Sequence, residues 1–388
     1  MLFRSLIGAG LLARSFLALT QVDPGYHPEN VVTMGVSLPN AKYPWDQQAI
    51  LFADQLLERL RHLPGAQGVA LAFGRPLSEY GMRIGFRRDD RPRPTPDKRL
   101  SADVRVVTPG FFSTLRIPMF AGRPFEATDL PNAPQVVVVS QAFARQFYAN
   151  ENPIGKRITL GWGRQRSANK ADTVTAGGEI VGIAGDVKAF GAHRDAPATI
   201  YVPFDQAPIG DVSLLVRSAA PPAVIVNGAR AAIKAVDPDL PIFDAKTMTD
   251  AVAESVSQPR FYAILLGSFA GIALVIAALG IYGVISYAVS QRTRELGIRI
   301  ALGAQRERVV RLVIRQGMVL TVLGIVVGLV GAYLLTRVIA SMLFGIPAVD
   351  PLTFGTVAAV FLAVAGMASY LPARRAAKVD PIIAMRAE

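Results

Sequence analysis

The sequence predicts an α+β domain of two subdomains on an all-α membrane domain, with three complete membrane-spanning helices and the end of a fourth at the N-terminus. Mean hydropathy over the 388 residues is +0.35, and the apolar excess lies mostly after residue 260. Residues 261–291, 317–336 and 352–371 carry no charged side chain, and roughly 20 apolar residues suffice to span a bilayer core. Three buried helices of a soluble core are the alternative, which the lack of a polar face on these runs disfavours.

Residues 1–20 are predicted to be the remnant of a first transmembrane helix. Leu6–Ala13 is apolar, but Arg4 and Arg14 bracket it, and so short a run does not span a bilayer. A signal peptide is the alternative, although no clear cleavage site follows a proper apolar region. We expect the outer end of a helix whose beginning is missing, so that the chain is a fragment of a longer protein.

Residues 21–259 are predicted to fold as the α+β domain outside the cytoplasm. Strands are expected at residues 31–38, 69–73, 104–107, 136–139, 180–183, 199–202 and 214–216, and helices at residues 46–62, 141–149, 222–236 and 247–258. Ser140 has the side chain of an N-cap for the helix that follows it. Residues 75–99 are rich in Arg, Asp and Pro, which predicts an exposed loop with a solvated Arg87–Asp90 run. Contact of this run with lipid or with a peptide is the alternative.

The charged residues divide the chain after residue 259 into helices, loops and a tail. We expect a long transmembrane or stalk helix at 260–291, a connector at 292–316, a helix at 317–336, a short outer loop at 337–351, a helix at 352–371 and a tail at 372–388. The uncharged run 261–291 would measure about 46 Å as a helix, which exceeds a hydrocarbon core of about 30 Å. It is therefore predicted to be a continuous rod between the outer domain and the connector. Gly267–Gly271 and Gly324–Gly328 have the spacing that permits close helix packing, within the chain or in a dimer.

The distribution of charge predicts the membrane topology. The net charge is +12, but residues 21–259 hold 26 Lys and Arg against 24 Asp and Glu, whereas the rest of the chain holds 15 against 5. The connector, with seven Arg and two Glu, and the tail are the basic segments. Because Lys and Arg accumulate on the cytoplasmic side, both are placed inside and residues 21–259 outside. The basicity thus indicates topology, and no nucleic-acid partner is predicted.

The residue patterns of phosphate-binding loops and of metal sites are absent from this sequence. Gly155-Lys156-Arg157 has neither the earlier glycine nor the hydroxyl of a phosphate-binding loop. His27, His62 and His193 lie far apart without metal-ligand spacing, and the chain has no cysteine. We therefore predict no catalytic residue, no metal, no cofactor and no enzymatic activity. The uncharged spans also argue against an ion or proton pathway.

The connector is predicted to be a docking element, formed as one amphipathic helix or as a helix pair broken near Gly303. Glu295 and Arg299 are four residues apart and can pair along a helix. An interfacial helix held by acidic lipid is the alternative. Gly297, Gly303 and Ala304 favour a close protein contact instead, because a helix that faces lipid does not need small residues.

The run Arg292-Thr-Arg-Glu-Leu-Gly-Ile-Arg-Ile-Ala-Leu-Gly-Ala304 resembles the signature of MacB/FtsX-type permeases of ABC systems, and Leu371–Arg386 is similar to their C-terminal end. Val107–Phe125 resembles their MacB-like periplasmic core domain. The match continues through Asp129, Val136–Ser140 and Asn152–Lys156. Ile180–Val187 and Tyr201–Phe204 resemble the duplicated orphan permeases of this family.

The resemblance implies four spans per module, a multi-pass position in the bacterial inner membrane and mechanotransmission. In that scheme a separate cytoplasmic ATPase docks on the connector and uses the ATP, and its closure moves the outer domain to export or extract a substrate. The matched motif implies the ATPase-facing residues Arg292, Glu295, Gly297, Arg299, Gly303 and Ala304. Further implied partners are a second permease module, as a dimer or fused duplicate, a periplasmic protein and membrane lipid. An envelope scaffold or regulator, or a sensor without an ATPase, remains an alternative.

Overall fold

The computed structural model of the chain describes residues 2–20, 23–43, 47–75, 82–93, 95, 97, 99–149, 151–165, 173–188, 195–255, 257–292, 295, 305–339 and 350–376. The chain forms two compact units. We call Val22–Val256 the sheet domain, and Met1–Gln21 together with Ser257–Glu388 the helical domain.

The sheet domain contains eleven strands and five helices among its described residues. The strands are β1 Val31–Ser37, β2 Ala66–Ala72, β3 Met82–Arg88, β4 Leu100–Val107, β5 Met119–Gly122, β6 Val136–Ser140, β7 Arg157–Gln165, β8 Thr173–Ala184, β9 Thr199–Pro203, β10 Asp211–Ser218 and β11 Ile242–Thr247. The helices are α2 Gln47–Arg61, α3 Phe111–Leu115, α4 Gln141–Phe147, α5 Pro222–Val236 and α6 Met248–Ser255.

One part of the sheet is open, with the antiparallel order β11-β1-β10-β2. Helices α2 and α5 bury one face each in the core of this part. On α2 the buried residues Phe52, Leu56 and Leu60 follow the helical period, as the sequence predicts for an amphipathic helix. Burial of these apolar side chains, at about 25 cal/mol per Å², stabilises the layer.

The other part of the sheet closes on itself in the order β4-β3-β7-β8-β6-β9, because β9 pairs in parallel with β4. Val137, Val139 and Phe143 are fully buried in the core of this ring. Strand β4 of the ring also pairs with β2 of the open part, and next to this pairing Phe73 N donates to Val106 O at 2.7 Å. Hydrogen bonding therefore runs from one part to the other, and the predicted division into two subdomains is not confirmed.

Most predicted elements are present. Helix α5 has the predicted bounds of 222–236, and the Ser140 Oγ accepts a hydrogen bond from Phe143 N at 3.1 Å, which confirms the N-cap of α4. Strands β5, β7 and β11 and the short helix α3 were not predicted.

The predicted exposed loop at residues 75–99 is wrong in its centre, where β3 lies. Ile84 and Phe86 point into the ring core, whereas Arg83 and Gly85 are exposed, which is the alternation of a half-buried strand. Arg88 is not solvated either, since its side chain is 9% exposed and its guanidinium lies 3.8 Å from the ring centre of Tyr148. Its charge is matched by Asp90 at 2.8 Å.

The helical domain consists of α1 Leu2–Thr20, α7 Ser257–Gln291, α8 Arg306–Ile339 and α9 Pro351–Ala376. Within the described part of this domain, three stretches are long and apolar enough to cross a membrane: Arg260–Gln291, Val310–Leu334 and Pro351–Arg375. Helices α1 and α9 each pack against both α7 and α8, whereas α7 and α8 make few contacts with each other. The four helices therefore form a bundle in which α7 and α8 are diagonal neighbours.

Two apolar clusters mark the two ends of this bundle. Ile7 and Leu11 of α1 pack with Ile325 and Ala332 of α8 and with Val357 near the start of α9. At the other end, the last turns of α7 and α9 meet the first turns of α8. The helices thus alternate in direction, as the predicted topology requires.

Three of the four glycines in the two pairs do not serve close packing inside the chain. A Cβ on Gly267, Gly271 or Gly324 would meet no atom within 4 Å, apart from those of the glycine's own surroundings in the helix. The part of the prediction that concerned packing within the chain is therefore wrong at these three positions, and packing against a second copy stays a prediction.

Candidate functional site

The predicted docking residues begin where α7 ends. Arg292 N donates to Val289 O at 3.1 Å, which closes the last turn, and the Arg292 side chain is exposed. Glu295 is helical and exposed. The other four predicted contact residues, Gly297, Arg299, Gly303 and Ala304, lie outside the described residues. The structure therefore places two of the six, both at the cytoplasmic end that the charge distribution predicts.

The second half of the predicted connector is the beginning of α8 rather than a separate segment. The helix starts at Arg306, and Arg308 N donates to Gln305 O at 2.9 Å. Arg308, Arg311 and Arg315 are exposed, and their spacing of three and four residues aligns them along one side of the helix. The opposite side carries Val313, which is 6% exposed. The first turns of α8 thus present a basic stripe outward and an apolar stripe to the bundle.

A small apolar cluster joins three helices beneath this stripe. Ile285 of α7, Val313 of α8 and Ala373 of α9 are buried together. A Cβ added to Gly317 would lie 2.5 Å from the Ile285 Cδ1 and 2.6 Å from the Ser369 Oγ. Separations this short are not seen for real Cβ atoms, so a larger residue here would require the Ile285 and Ser369 side chains to shift.

The polar groups inside this end of the bundle are satisfied locally. The Thr321 Oγ1 donates to Gly317 O at 2.8 Å, and the Ser369 Oγ donates to Ala365 O at 2.7 Å. Both bonds run to the carbonyl four residues earlier, which is how hydroxyl side chains are accommodated in apolar helices. The Arg375 Nη1 donates to the Tyr282 Oη at 2.7 Å, which ties the last turn of α9 to α7. Because these two residues lie 93 positions apart, no local pattern could have indicated the contact.

A cavity of about 50 Å³ lies between α7 and α8 beside this cluster. Its lining residues are Val284, Ile285, Ala288, Val289, Arg292, Leu312, Val313, Gly317 and Leu320. Arg292 is the one charged residue among these nine.

At the opposite end of the bundle, an ion pair joins Arg14 of α1 to Asp350, the residue before α9. Asp350 also accepts from Thr353 N at 2.9 Å, as an N-cap does. Asp350 is 7% exposed and Arg14 is half-buried. This ion pair was not predicted from the sequence, because its two residues lie 336 positions apart.

In the sheet domain, Arg217 of β10 holds three segments together. Its Nε donates to Thr114 O at 2.6 Å, its Nη1 to Glu29 O at 2.7 Å and its Nη2 to His27 O at 2.6 Å. Arg217 is 4% exposed, and this burial lowers the pKa of its guanidinium. The three nitrogens of one charged guanidinium thus donate to three main-chain carbonyls and form a structural clamp. This clamp was not predicted from the sequence.

A second feature of the sheet domain is a carboxyl group with a displaced pKa. Burial, and then the neighbouring carboxylate of Asp54, raises the pKa of Asp205 to about 6. Burial also raises the pKa of Asp54. Among the described residues, no group of three or more His, Asp or Glu side chains is placed to hold a metal ion.

Two families of known proteins match this chain. Residues 12–236 match the MacB-like periplasmic core domain, and residues 267–381 match the FtsX-like permease C-terminal domain. The two matches together cover most of the sheet domain and most of the helical domain.

Several named proteins are similar to the chain. It is 26% identical over 303 residues to an uncharacterized ABC transporter permease, YknZ, of Bacillus subtilis, which covers 75% of this chain and 72% of the relative. It is 27% identical to the macrolide export ATP-binding/permease protein MacB of Chlorobium luteolum (69% of this chain, 40% of the relative). It is 26% identical to the pyoverdine export ATP-binding/permease protein PvdT of Pseudomonas aeruginosa (72% and 41%). The chain thus spans about two fifths of the length of these two export proteins.

Two solved structures also resemble the chain. The periplasmic region of MacB from Actinobacillus actinomycetemcomitans aligns with a TM-score of 0.38 and 14% identity, and covers 62% of this chain and 98% of its own. The extracellular domain of the noncanonic ABC-type transporter YknZ aligns with a TM-score of 0.35 and 12% identity, and covers 55% of this chain and 100% of its own.

Proposed function

The chain belongs to the family of ABC transporter permeases that carry a MacB-like periplasmic core domain and an FtsX-like C-terminal domain, and we propose that it works by mechanotransmission. A separate cytoplasmic ATPase binds and hydrolyses ATP. The helical domain passes the resulting movement to the sheet domain, which lies on the periplasmic side of the inner membrane. The outcome is export or extraction of a substrate there. The chain itself is not an enzyme and holds no cofactor.

The observation that carries this proposal is the shared end of α7, α8 and α9. The basic stripe of Arg308, Arg311 and Arg315 faces outward, directly opposite the cluster that joins the three helices. A partner bound to the stripe pushes on the first turns of α8. Because Gly317 leaves no space toward Ile285 and Ser369, the displacement of α8 is passed to α7 and α9 together.

The length of α7 supports the transmission step. It comprises 35 residues from Ser257 to Gln291 without interruption, which is about 52 Å at 1.5 Å per residue. A hydrocarbon core of about 30 Å accounts for roughly 20 of these residues, and tilt absorbs part of the remainder.

Partners follow from the same proposal. The basic stripe supplies electrostatic complementarity for an acidic surface of the ATPase. A second permease module, as a dimer or fused duplicate, covers exposed apolar side chains of the long helices, such as those of Phe269, Ile272 and Ile276 on α7. A periplasmic protein is a further partner. Substrates named for similar proteins are macrolides and pyoverdine, and export of a substrate of that kind is part of the proposal.

The test is association with an ATPase. The full chain is co-expressed with a candidate nucleotide-binding subunit from its own genome, purified by a tag on the chain, and assayed for bound subunit and ATP hydrolysis. Arg311→Glu and Glu295→Lys are expected to lower both at least tenfold. Arg260→Glu, at the opposite end of the α7 span, is the matched control and retains both. Unchanged association in the first two variants would remove the connector from the coupling path, whereas an outer ligand bound without any ATPase would favour a sensor.

A further inference from the structure

A cavity of about 230 Å³ lies in the sheet domain, where β1 begins and β10 and β11 end. Five of its nine described lining residues are polar: Glu29, Asn30, Ser218, Thr247 and Thr249. The others are small or apolar. Sites for drug-sized ligands enclose about 300–1,000 Å³, so this space is suited to a smaller molecule. Hydroxyl and amide groups donate as well as accept hydrogen bonds, which suits a ligand that carries hydroxyl groups.

The walls of the cavity are held in place by hydrogen bonds between distant segments. The Arg217 Nη1 donates to Glu29 O at 2.7 Å. The next residue, Ser218, donates its main-chain N–H to Asn30 O at 2.8 Å. On the opposite side, the Thr247 Oγ1 accepts a hydrogen bond at 3.0 Å from the main-chain N–H three residues later in α6. The cavity is therefore formed before a ligand binds, and less entropy is lost on binding.

Two side chains that line the cavity are available to a ligand. Asn30 is exposed, and its amide makes no hydrogen bond within the described part of the chain. The Glu29 side chain is 64% exposed, and the Nδ1 of His27 lies 3.8 Å from its carboxylate, which is beyond hydrogen-bonding distance. By contrast, the Ser218 Oγ already donates to Gly65 O at 3.0 Å. Glu29 and Asn30 can thus bind a ligand without breaking a hydrogen bond that the fold uses.

The charges around the cavity favour a cation. Among the described residues that line it, Glu29 is the one that carries a charge. The carboxylate of Asp250 adds a second negative charge beside the cavity, since it accepts from the Thr247 Oγ1 at 2.7 Å. Two nearby basic residues act elsewhere, because Arg217 binds main-chain carbonyls and Lys246 pairs with two other carboxylates. An ammonium group is therefore attracted to this cavity, whereas an anion is repelled.

The helix that starts at the cavity does not reverse this preference. Free N–H groups at a helix N-terminus attract anions, and Pro222 in the first turn of α5 lines the cavity. Proline has no N–H group to offer, and Val224 N donates to Pro221 O at 3.0 Å. In α6 the first turn already contains the carboxylate of Asp250. Neither helix therefore presents the N–H groups that an anion requires.

We propose that this cavity binds a small polyhydroxylated amine, with the ammonium group on the Glu29 carboxylate and a hydroxyl group on the Asn30 amide. Ala220 and Pro222, which also line the cavity, supply an apolar surface for the carbon skeleton of the ligand. All of the described lining residues belong to the sheet domain. The site requires neither an ATPase nor a particular membrane orientation, so it stands or falls separately from the coupling mechanism.

The experiment titrates the purified full chain, held in phosphatidylcholine nanodiscs at neutral pH, with glucamine or with sorbitol in an isothermal titration calorimeter. The two probes differ only in that glucamine carries an ammonium group where sorbitol carries a hydroxyl. Glucamine is expected to bind about fivefold more tightly than sorbitol, which is at the upper end of what one exposed ion pair contributes. Glu29→Gln is expected to remove this preference.

Two further variants make the test specific. Thr249→Phe narrows the cavity and is expected to weaken the binding of both probes, because both occupy the same space. Glu126→Gln removes an exposed carboxylate that does not line the cavity. It is the matched control and keeps the preference for glucamine. If Thr249→Phe does not fold, the comparison of Glu29→Gln with Glu126→Gln still decides the question.

Four outcomes would overturn the proposal. Equal affinity of the wild-type chain for the two probes would exclude recognition of the ammonium group. A preference that survives Glu29→Gln would place the cation elsewhere. Loss of the preference in Glu126→Gln as well would assign it to the overall charge of the domain. Absence of glucamine binding up to about 10 mM, a concentration at which millimolar affinity is measurable, would exclude the site.

Discussion

Replacement of Arg217 by methionine tests whether the sheet domain depends on its main-chain clamp. Methionine keeps an unbranched apolar stem of similar length and removes the three donors. The buried carbonyl of Thr114 then has no replacement for the 2.6 Å bond from Nε. The carbonyls of His27 and Glu29 belong to exposed residues, so water can take over part of their bonding.

The expected loss of stability depends on whether water can reach each of the three carbonyls. A buried acceptor left without a partner costs about 1–3 kcal/mol, whereas an acceptor that regains a water loses about 0.5–1.5 kcal/mol. The buried carbonyl of Thr114 and the two water-accessible carbonyls of His27 and Glu29 together give about 4 kcal/mol. For a domain of this size, 1 kcal/mol lowers the melting temperature by about 2–4 °C. Arg217→Met is therefore expected to lower it by roughly 10 °C.

The assay uses the position of the two tryptophans. Trp45 and Trp162 are the only tryptophans of the chain, and both belong to the sheet domain. Thermal unfolding of the intact chain in detergent, followed by tryptophan fluorescence, therefore reports on the sheet domain alone. Arg145→Met is the matched control, because Arg145 is 65% exposed and pairs with Asp186 at the surface. Such pairs contribute at most about 1 kcal/mol.

The reasoning is refuted if Arg217→Met and Arg145→Met shift the melting temperature by similar small amounts. Water would then reach the Thr114 carbonyl as readily as the other two, and the clamp would be replaceable. A large shift for both variants would instead show that the control pair carries more stability than its exposure indicates.

Two other predictions concern charged groups. Burial, and then the carboxylate of Asp54, raises the pKa of Asp205 from 3.8 to about 6. The folded state therefore binds a proton on Asp205 more tightly than the unfolded state does, and the free energy of unfolding falls as pH rises from about 4 to about 6. Asp205→Asn should remove this slope and stabilise the sheet domain at neutral pH by about 1–2 kcal/mol after allowance for partial exposure, and an unchanged slope in tryptophan fluorescence unfolding would contradict the assignment. In the helical domain, Arg14→Ala should lower the melting temperature of the helical circular dichroism signal, because it leaves Asp350 with only its bonds to Thr353. Adding Asp350→Asn should restore part of that loss, and strictly additive effects would show that the two residues do not interact.

Elements with a strong local pattern were predictable from the sequence. Helix α5 has Pro222 in its first turn and apolar residues at helical spacing, and both its ends agree with the prediction. Strand β6 is a run of four valines followed by a capping serine. In these segments, local propensity and tertiary burial favour the same structure.

Strand β3 shows why other elements were missed. Its sequence, Met-Arg-Ile-Gly-Phe-Arg-Arg, contains three arginines and a glycine and is surrounded by charged and proline-rich residues. What makes it a strand is pairing with β4 on one side and β7 on the other. Both partners are supplied by the closed ring, so the information lies in the topology and not in the segment.

The candidate site was predictable to a smaller extent than the fold. The charge distribution and the family signature indicated which end of the helical domain is expected to bind the proposed ATPase, and Arg292 and Glu295 lie at that end. The contacts that join the helices at this end pair residues far apart in the sequence, such as Tyr282 with Arg375. The spacing of residues within one helix does not indicate which residue of another helix each of them contacts, so such pairs could not be predicted from the local sequence.

The small residues of the bundle suggest where a movement would be transmitted. Near the connector, Gly317 is so close to Ile285 and Ser369 that no Cβ fits, and Ala373 is fully buried. Farther along α7, a Cβ on Gly267, Gly271 or Gly280 would meet nothing within 4 Å beyond its own helix. The other end of the bundle is also closely packed, since Ile7 and Leu11 of α1 are fully buried and a Cβ on Gly10 would lie 3.0 Å from the Thr353 Cγ2. In the proposed mechanism, a push on the first turns of α8 acts on α7 near its last turns, where Gly317 lies close to Ile285.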